Sequence, residues 1–335
     1  MKALRLRAFG GPEQLHLEDL PMPSPAEHEV RLRVHAAGLN FTDLGQREGR
    51  LPGAPTPPFT PGWEAAGVID AVGASVQGFA PGMRVVALLP AQGGFAEYAL
   101  VPASALLPLP ERVSFEQAVA LPVQAPTALL ALCVGARLQP GESVFIPSAA
   151  GGVGTLLVQL ARALGASRVI AGVGSEAKRA LVTRLGADAT VDTSLPDWPA
   201  RVREATAGRG VDVVFISGGA ESGAQGLQAL APRGRLVLFG AQSMFDSHWS
   251  REQMMALVAQ NQSITGFATF SLPLEQRQEA LREALARVDT GTLEVVVGQS
   301  FPLEDVAHAH RALAARTTTG KVVIHIPQRS ASSIF

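Results

Sequence analysis

Apolar and polar residues alternate over short stretches in the first third of the chain. In HEVRLRVHAAGLN every second side chain from Val30 to Val34 is apolar, the period of a half-buried strand. MKALRLRAFG, AAGVIDAVG, RVVALLP and FAEYALVPA read the same way and are bounded by glycine or proline. After about Ser114 the period lengthens. FEQAVALPVQAPTALLALCV predicts helix, and SVFIPSA, RVIAGVG, VDVVFIS and RLVLFGA predict buried strands separated by helical TLLVQLARALGA and EAKRALVTRLGA. Strands alternating with helices imply parallel βαβ units, hence an α/β fold with a doubly wound parallel sheet. From about Phe270 the chain reads as helix (LEQRQEALREALARV), strand (LEVVVGQSF), helix (EDVAHAHRALAAR) and strand (GKVVIHIP).

The stretch SAAGGVGTLLVQLARALGA, Ser148 to Ala166, passes from a strand through small residues into an apolar-striped helix. A dinucleotide site uses this order, because a glycine turn lets the backbone approach a pyrophosphate at the helix N-terminus. Ala149 stands where GxGxxG has its first glycine, and Gly151 and Gly154 match the others. The backbone of Ala150, Gly151, Gly152 and Val153 is the candidate cradle; a purely structural turn into the helix is the alternative. About twenty residues on, the acidic residue that would accept the ribose hydroxyls is replaced by Gly174, followed by Ser175, Glu176, Ala177, Lys178 and Arg179. Ser175, Lys178 and Arg179 suit a 2′-phosphate, hence NADPH, although the two cations also read as the solvated face of the next helix. Lys178 is one of three lysines among 28 basic residues, so background usage does not supply it.

Composition narrows the classes. With 335 residues, 47% hydrophobic, the chain can bury a large core and suggests two domains. A net charge of -1 and a pI near 6.7 give no electrostatic footprint for nucleic acid or an anionic membrane. No apolar run reaches the ~20 residues of a membrane span, and MKALRLRAFGGPEQ has no continuous apolar signal core. A cytoplasmic location is expected. The single cysteine, Cys133, excludes an intrachain disulfide and reads as a small buried apolar residue.

Nearly the whole chain resembles the zinc-independent quinone oxidoreductase branch of the medium-chain dehydrogenase/reductase superfamily. The resemblance lies in AAGLNFTDLGQREG (36–49), PFTPGWEAAGVIDAVG (58–73), GGFAEYALVP (93–102), the glycine turn, GRGVDVVFIS (208–217), RGRLVLFGAQS (233–243) and TTGKVVI (318–324). It implies a Rossmann NADPH-binding domain at 123–268. It also implies a mostly β, GroES-like catalytic domain split between 1–122 and 269–335, with the active site in the cleft between the domains. A homodimer is implied as well.

Zinc alcohol dehydrogenases of the wider superfamily carry a cysteine where this chain has Gly38 to Asn40, and GHE where it has Gly62, Trp63 and Glu64. His308 and His310 are close in sequence but point to different faces of a helix. No metal site is expected. Hydride transfer without a Lewis acid favours acceptors that spread the incoming charge, so the substrate class is a quinone or an α,β-unsaturated carbonyl. Asn40, Asp43, Arg47 and Thr127 are the candidates to line the catalytic site. Asn40 also reads as a helix N-cap, Asp43 and Arg47 as an i,i+4 ion pair, and Glu64 as a buried paired carboxylate. The resemblance implies further cofactor contacts at Ser217, Phe239, Gly240 and Lys321, with Thr193 where relatives often have a tyrosine. Enoyl thioester reductases carry an acid tyrosine near the position of Arg50; here the only tyrosine is Tyr98, in a strand. An enoyl acyl-thioester reductase and a non-catalytic nucleotide-binding protein are the alternative readings.

Overall fold

The alternation of Glu29–Leu39 becomes a strand whose apolar side chains Val30, Leu32 and Val34 are fully buried, while Arg31 and Arg33 lie on its more open face. The computed structural model describes residues 1–218, 220–240 and 249–328. Its strands are, first, β1 (Lys2–Leu6), β2 (Leu15–Asp19), β3 (Glu29–Leu39), β4 (Glu64–Val72), β5 (Arg84–Leu88), β6 (Tyr98–Pro102) and β7 (Leu106–Pro108). Then follow β8 (Ser143–Ile146), β9 (Arg168–Gly172), β10 (Ala189–Val191), β11 (Val211–Ile216), β12 (Leu230–Phe239) and β13 (Ser263–Phe267). The last are β14 (Val297–Pro302) and β15 (Lys321–His325). Residue contacts divide the chain into one unit of 1–123, 282–290 and 296–335, and another of 124–281 and 291–295. Residues 269–281, grouped by sequence with the carboxy-terminal part, therefore pack in the second unit; the division falls inside the helix Leu274–Asp289.

In the first unit the sheet runs β14-β15-β3-β4-β5-β7, with β6 also paired to β3. Leu32, Val34, Leu39, Ile69, Val85, Phe95 and Ile324 form its core. Full burial of each such side chain is worth about 1.5–3 kcal/mol. Two registers matter for the site. β15 lies antiparallel to β3 with Val322 opposite Leu39, and β4 lies antiparallel to β3 with Ala65 opposite Ala37. Continued by one residue, these pairings bring Lys321 beside Asn40 and Glu64 beside Gly38.

The second unit holds a parallel sheet in the order β10-β9-β8-β11-β12-β13, the expected doubly wound arrangement. The chain leaves β8 towards β9 and β10, then returns to place β11 on the other side of β8. That reversal puts the switch point of the sheet at β8, and α/β sheets bind ligands at the carboxyl end of such strands. The glycine turn sits there.

The long helix expected from FEQAVALPVQAPTALLALCV is broken. Helix Phe115–Val119 stops before Pro122, which disfavours helical backbone at Leu121; helix Gln124–Leu130 follows and passes into a π-helical turn, Ala131–Ala136. The wider π turn shifts the buried face, so Cys133 is exposed rather than buried and Val134 is exposed beside it. β2, β7, β10 and β13 are absent from the sequence reading; β7 and β10 have three residues each and β13 lacks clear alternation. No helix among the described residues is long and apolar enough to cross a membrane.

Candidate functional site

The first unit encloses a charged cluster. Lys321 and Glu64 are both fully buried and form an ion pair through Nζ and Oε2. Asn40 joins them, its Nδ2 donating to Glu64 Oε2 at 2.6 Å and its Oδ1 accepting from Lys321 Nζ at 2.8 Å. The other carboxylate oxygen of Glu64 accepts from the Val123 N–H at 2.8 Å. Such a pair survives burial only with further hydrogen bonds; here Asn40 bridges the two ions and the Val123 N–H reaches the carboxylate. Gly38 makes room for it: a Cβ there would lie 2.3 Å from Glu64 Oε2 and 2.7 Å from Lys321 Cε. Glu64 is thus the paired carboxylate the sequence suggested. Lys321, expected beside a cofactor, has its ammonium committed to Glu64 and Asn40.

Asn40 also occupies the N-cap of the short helix Phe41–Arg47, whose Asp43 reaches back to accept the Asn40 backbone N–H at 2.7 Å. Burial, outweighing that hydrogen bond and the field of Lys321, pushes the Asp43 carboxyl up to about 7. Its Oδ1 has no hydrogen-bond partner among the described residues.

The expected Asp43–Arg47 ion pair does not form. Arg47 turns to the Glu48 carboxylate, to the Gly10 carbonyl at 3.0 Å and to His310 Nδ1 at 3.2 Å. The asymmetry follows from local geometry: Asp43 is engaged at the N-terminus of the helix, while Arg47 finds acceptors at its end. The guanidinium can only donate, so His310 Nδ1 accepts and the ring is the neutral Nε2–H tautomer. Burial and then Arg47 lower the His310 pKa to about 3. His308, on the other side of its helix, is exposed and meets Phe301 edge-on.

The second unit contributes the turn. Gly151 is the N-cap of helix Gly152–Ala163, and its N–H donates to the Ser148 carbonyl at 3.1 Å. Protein packing requires glycine at 154, where the clash is with backbone, whereas at 152 it is with the end of a side chain. A Cβ at Gly152 would lie 2.1 Å from the Gln124 amide, and one at Gly154 would lie 2.1 Å from the Ser148 carbonyl. The third glycine of the helix entry therefore closes the turn onto its own loop instead of bringing helix and sheet together. Gly151 differs, since the nearest atom to its Cβ position is Ser148 O at 3.4 Å; at Gly174 nothing lies within 4 Å. Ala150 is buried and Val153 half-buried.

At the end of β9, Ser175 caps helix Glu176–Arg184 by accepting the Lys178 N–H. Arg179 leans to Asp192 at 3.3 Å and Glu176 at 3.7 Å, so engaging a phosphate requires it to give up those contacts. The Thr193 hydroxyl is 3.5 Å from the Pro147 carbonyl. Ser217 follows β11, and Phe239 ends β12 against the edge of Phe215, with Gly240 at a positive φ of 83° beyond it. The Thr127 hydroxyl is 3.5 Å from that of Thr269. Sequence reasoning missed Gln124 and His310. Neither stands in a glycine or charge motif; only the small residue at 152, and a histidine on the apolar side of its helix, hinted at them.

Comparison with known proteins places these parts in context. Residues 26–111 match the alcohol dehydrogenase GroES-like domain, and residues 152–289 match the zinc-binding dehydrogenase family. The chain is 35% identical to a quinone oxidoreductase of Rattus norvegicus over 311 residues, 92% of this chain and 93% of the relative. The crystal structure of an NAD-dependent alcohol dehydrogenase superposes with a TM-score of 0.88 at 36% identity, covering 98% of this chain and 100% of the other. Escherichia coli quinone oxidoreductase complexed with NADPH superposes with a TM-score of 0.87 at 30% identity, covering 97% of this chain and 100% of the other.

Proposed function

The chain belongs to the quinone oxidoreductase branch of the medium-chain dehydrogenase/reductase superfamily, and from that membership we propose an NADPH:quinone oxidoreductase that reduces quinones or other conjugated α,β-unsaturated carbonyls without zinc. The turn at 148–154 carries the reading. It lies at the strand-order reversal and presents a helix N-terminus, and at Gly151 and Gly174 the protein's own atoms leave space for a Cβ. Those positions fit a ligand that approaches the backbone closely.

The residues that would hold the cofactor are the backbone of Ala150, Gly151, Gly152 and Val153 for the pyrophosphate, and Ser175, Lys178 and Arg179 for the 2′-phosphate. Thr193, Ser217, Phe239 and Gly240 would line the remainder. Bound NADPH supplies the hydride. Asn40 offers an amide to orient a carbonyl and Thr127 a hydroxyl, while Asp43 and Arg47 support Asn40's helix. Zinc independence rests on the donor set: Glu64, beside the lost ligand position, already neutralises an ammonium.

NADPH and NADH consumption should be followed with a panel of quinones, enones and enoyl thioesters, with and without a chelator. Turnover of quinones or enones with NADPH, unaffected by the chelator, is expected. Turnover confined to enoyl thioesters, a preference for NADH, or loss of activity on chelation would each overturn the corresponding part.

We further propose that two copies associate through the second unit. β13 is the last strand of its sheet among the described residues, and Met255, Val258 and Phe270 are 64%, 69% and 73% exposed nearby in sequence. An unpaired edge with exposed apolar side chains is a template for a second chain. Sedimentation should show a dimer that Val258→Glu weakens; a monomeric wild type would overturn this.

A further inference from the structure

The Asn40 amide is held from both ends by ions that leave it one orientation. Lys321 has only donors, so the atom facing it must be Oδ1; the Glu64 carboxylate only accepts, so the atom facing it must be Nδ2. A flipped amide would set donor against ammonium and acceptor against carboxylate. Gly38 and the registers of β15 and β4 on β3 keep the two ions in place. Asn40 is nonetheless 7% exposed, whereas both ions are fully enclosed.

We propose that Lys321 and Glu64 are positioning residues that lock Asn40 as a hydrogen-bond donor towards a carbonyl of the bound reactants. The ion pair uses Oδ1 and one Nδ2 hydrogen; the second Nδ2 hydrogen, which has the Asp43 carboxyl as its neighbour in the ligand-free protein, is the one that would turn to the ligand. A donor fixed before reaction needs no reorganisation as negative charge develops on the carbonyl oxygen. This deepens the reductase reading and rests on it for the identity of the reactants, but the locking itself is a property of the ligand-free protein.

Two measurements test it. Lys321→Met/Glu64→Gln removes both charges together and so avoids stranding either ion. It should lower kcat about tenfold, with the NADPH dissociation constant and the acceptor KM changed less than about twofold. Asn40→Ala alone should lower kcat by at least about tenfold, and in that background the same pair of substitutions should add less than about twofold, because residues acting through one group are not additive. An undiminished kcat, a second full tenfold loss in that background, or loss of NADPH binding in step with kcat would overturn the proposal.

The second measurement needs neither turnover nor a variant at 321 or 64. The Asn40 side-chain amide, assigned by the signals that vanish in Asn40→Ala, should show one slowly exchanging proton in ligand-free wild-type protein, the one that Glu64 accepts. Exchange as fast as that of surface asparagines would overturn the locking. If the wild type reduces none of the acceptors yet the proton facing Glu64 is protected, the reductase reading fails while the lock stands.

Discussion

The two units make their polar centres in opposite ways. The first draws together Asn40 and Lys321, 281 positions apart, with Glu64 between them in sequence, and closes their charges off from water. The second uses consecutive residues, 148–154, and relies on backbone groups and the absence of side chains. One centre is electrostatic and long-range, the other steric and local. An electrostatic centre fails abruptly when one member is lost, whereas a steric one fails by degrees with each added atom.

The largest effect should come from stranding an ion. Lys321→Met leaves the Glu64 carboxylate buried without a cation and should cost about 3–5 kcal/mol in urea unfolding. Lys321→Met/Glu64→Gln should recover most of that. Equal losses in the single and double variants would mean that packing, not charge, dominates the cluster.

Acidity gives the next test. Asp43, raised from 3.8 to about 7, binds a proton in the folded state that the unfolded chain releases, so it costs stability as pH rises through that window. His310, lowered from 6.5 to about 3, acts in the opposite sense: its contribution is present above 6.5 and is lost as pH falls towards 3. Between pH 4 and 6.5 the two slopes offset. The stability of wild type relative to Asp43→Asn should therefore fall by about 1.4 kcal/mol per pH unit from pH 4 to 7. Parallel curves for the two proteins would show that Asp43 titrates normally.

In the second unit the glycines separate packing from ligand approach. Gly154→Ala drives a Cβ against the Ser148 carbonyl and should destabilise by about 1–3 kcal/mol. Gly151→Ala should leave stability within about 0.5 kcal/mol while weakening NADPH binding, as measured by titration. Loss of stability at 151 with unchanged NADPH affinity would reverse that division.

The smallest effect is the most selective. Lys178→Ala should lower kcat/KM for NADPH about tenfold and leave NADH nearly untouched, since one charge-assisted contact at a screened site is worth about 1.5 kcal/mol. Equal losses for both cofactors would assign Lys178 to the fold.

The same contrast explains what could be read from the chain. Alternation at Val30, Leu32 and Val34 and the strand–turn–helix order at 148–154 are local patterns, and both appear in the structure where the sequence put them. The association of Asn40 with Lys321 depends on sheet register, which no local pattern encodes. Asn40 and Glu64 stood out by motif position, yet nothing local indicated that Lys321 would hold them. The i,i+4 spacing of Asp43 and Arg47 suggested a pair, but His310, from a distant helix, and Glu48 offered Arg47 better acceptors. Cys133 was misplaced because a π turn resets the helical period within a few residues.

The internal cation of the first unit is part of the polypeptide. It arrives in fixed stoichiometry when β15 joins β3 and has no dissociation constant of its own. The centre thus needs no loading step after synthesis and matures only once the last described strand of the chain has been made. A ribosome-bound chain lacking that strand would have Glu64 and Asn40 but no cation to neutralise the carboxylate.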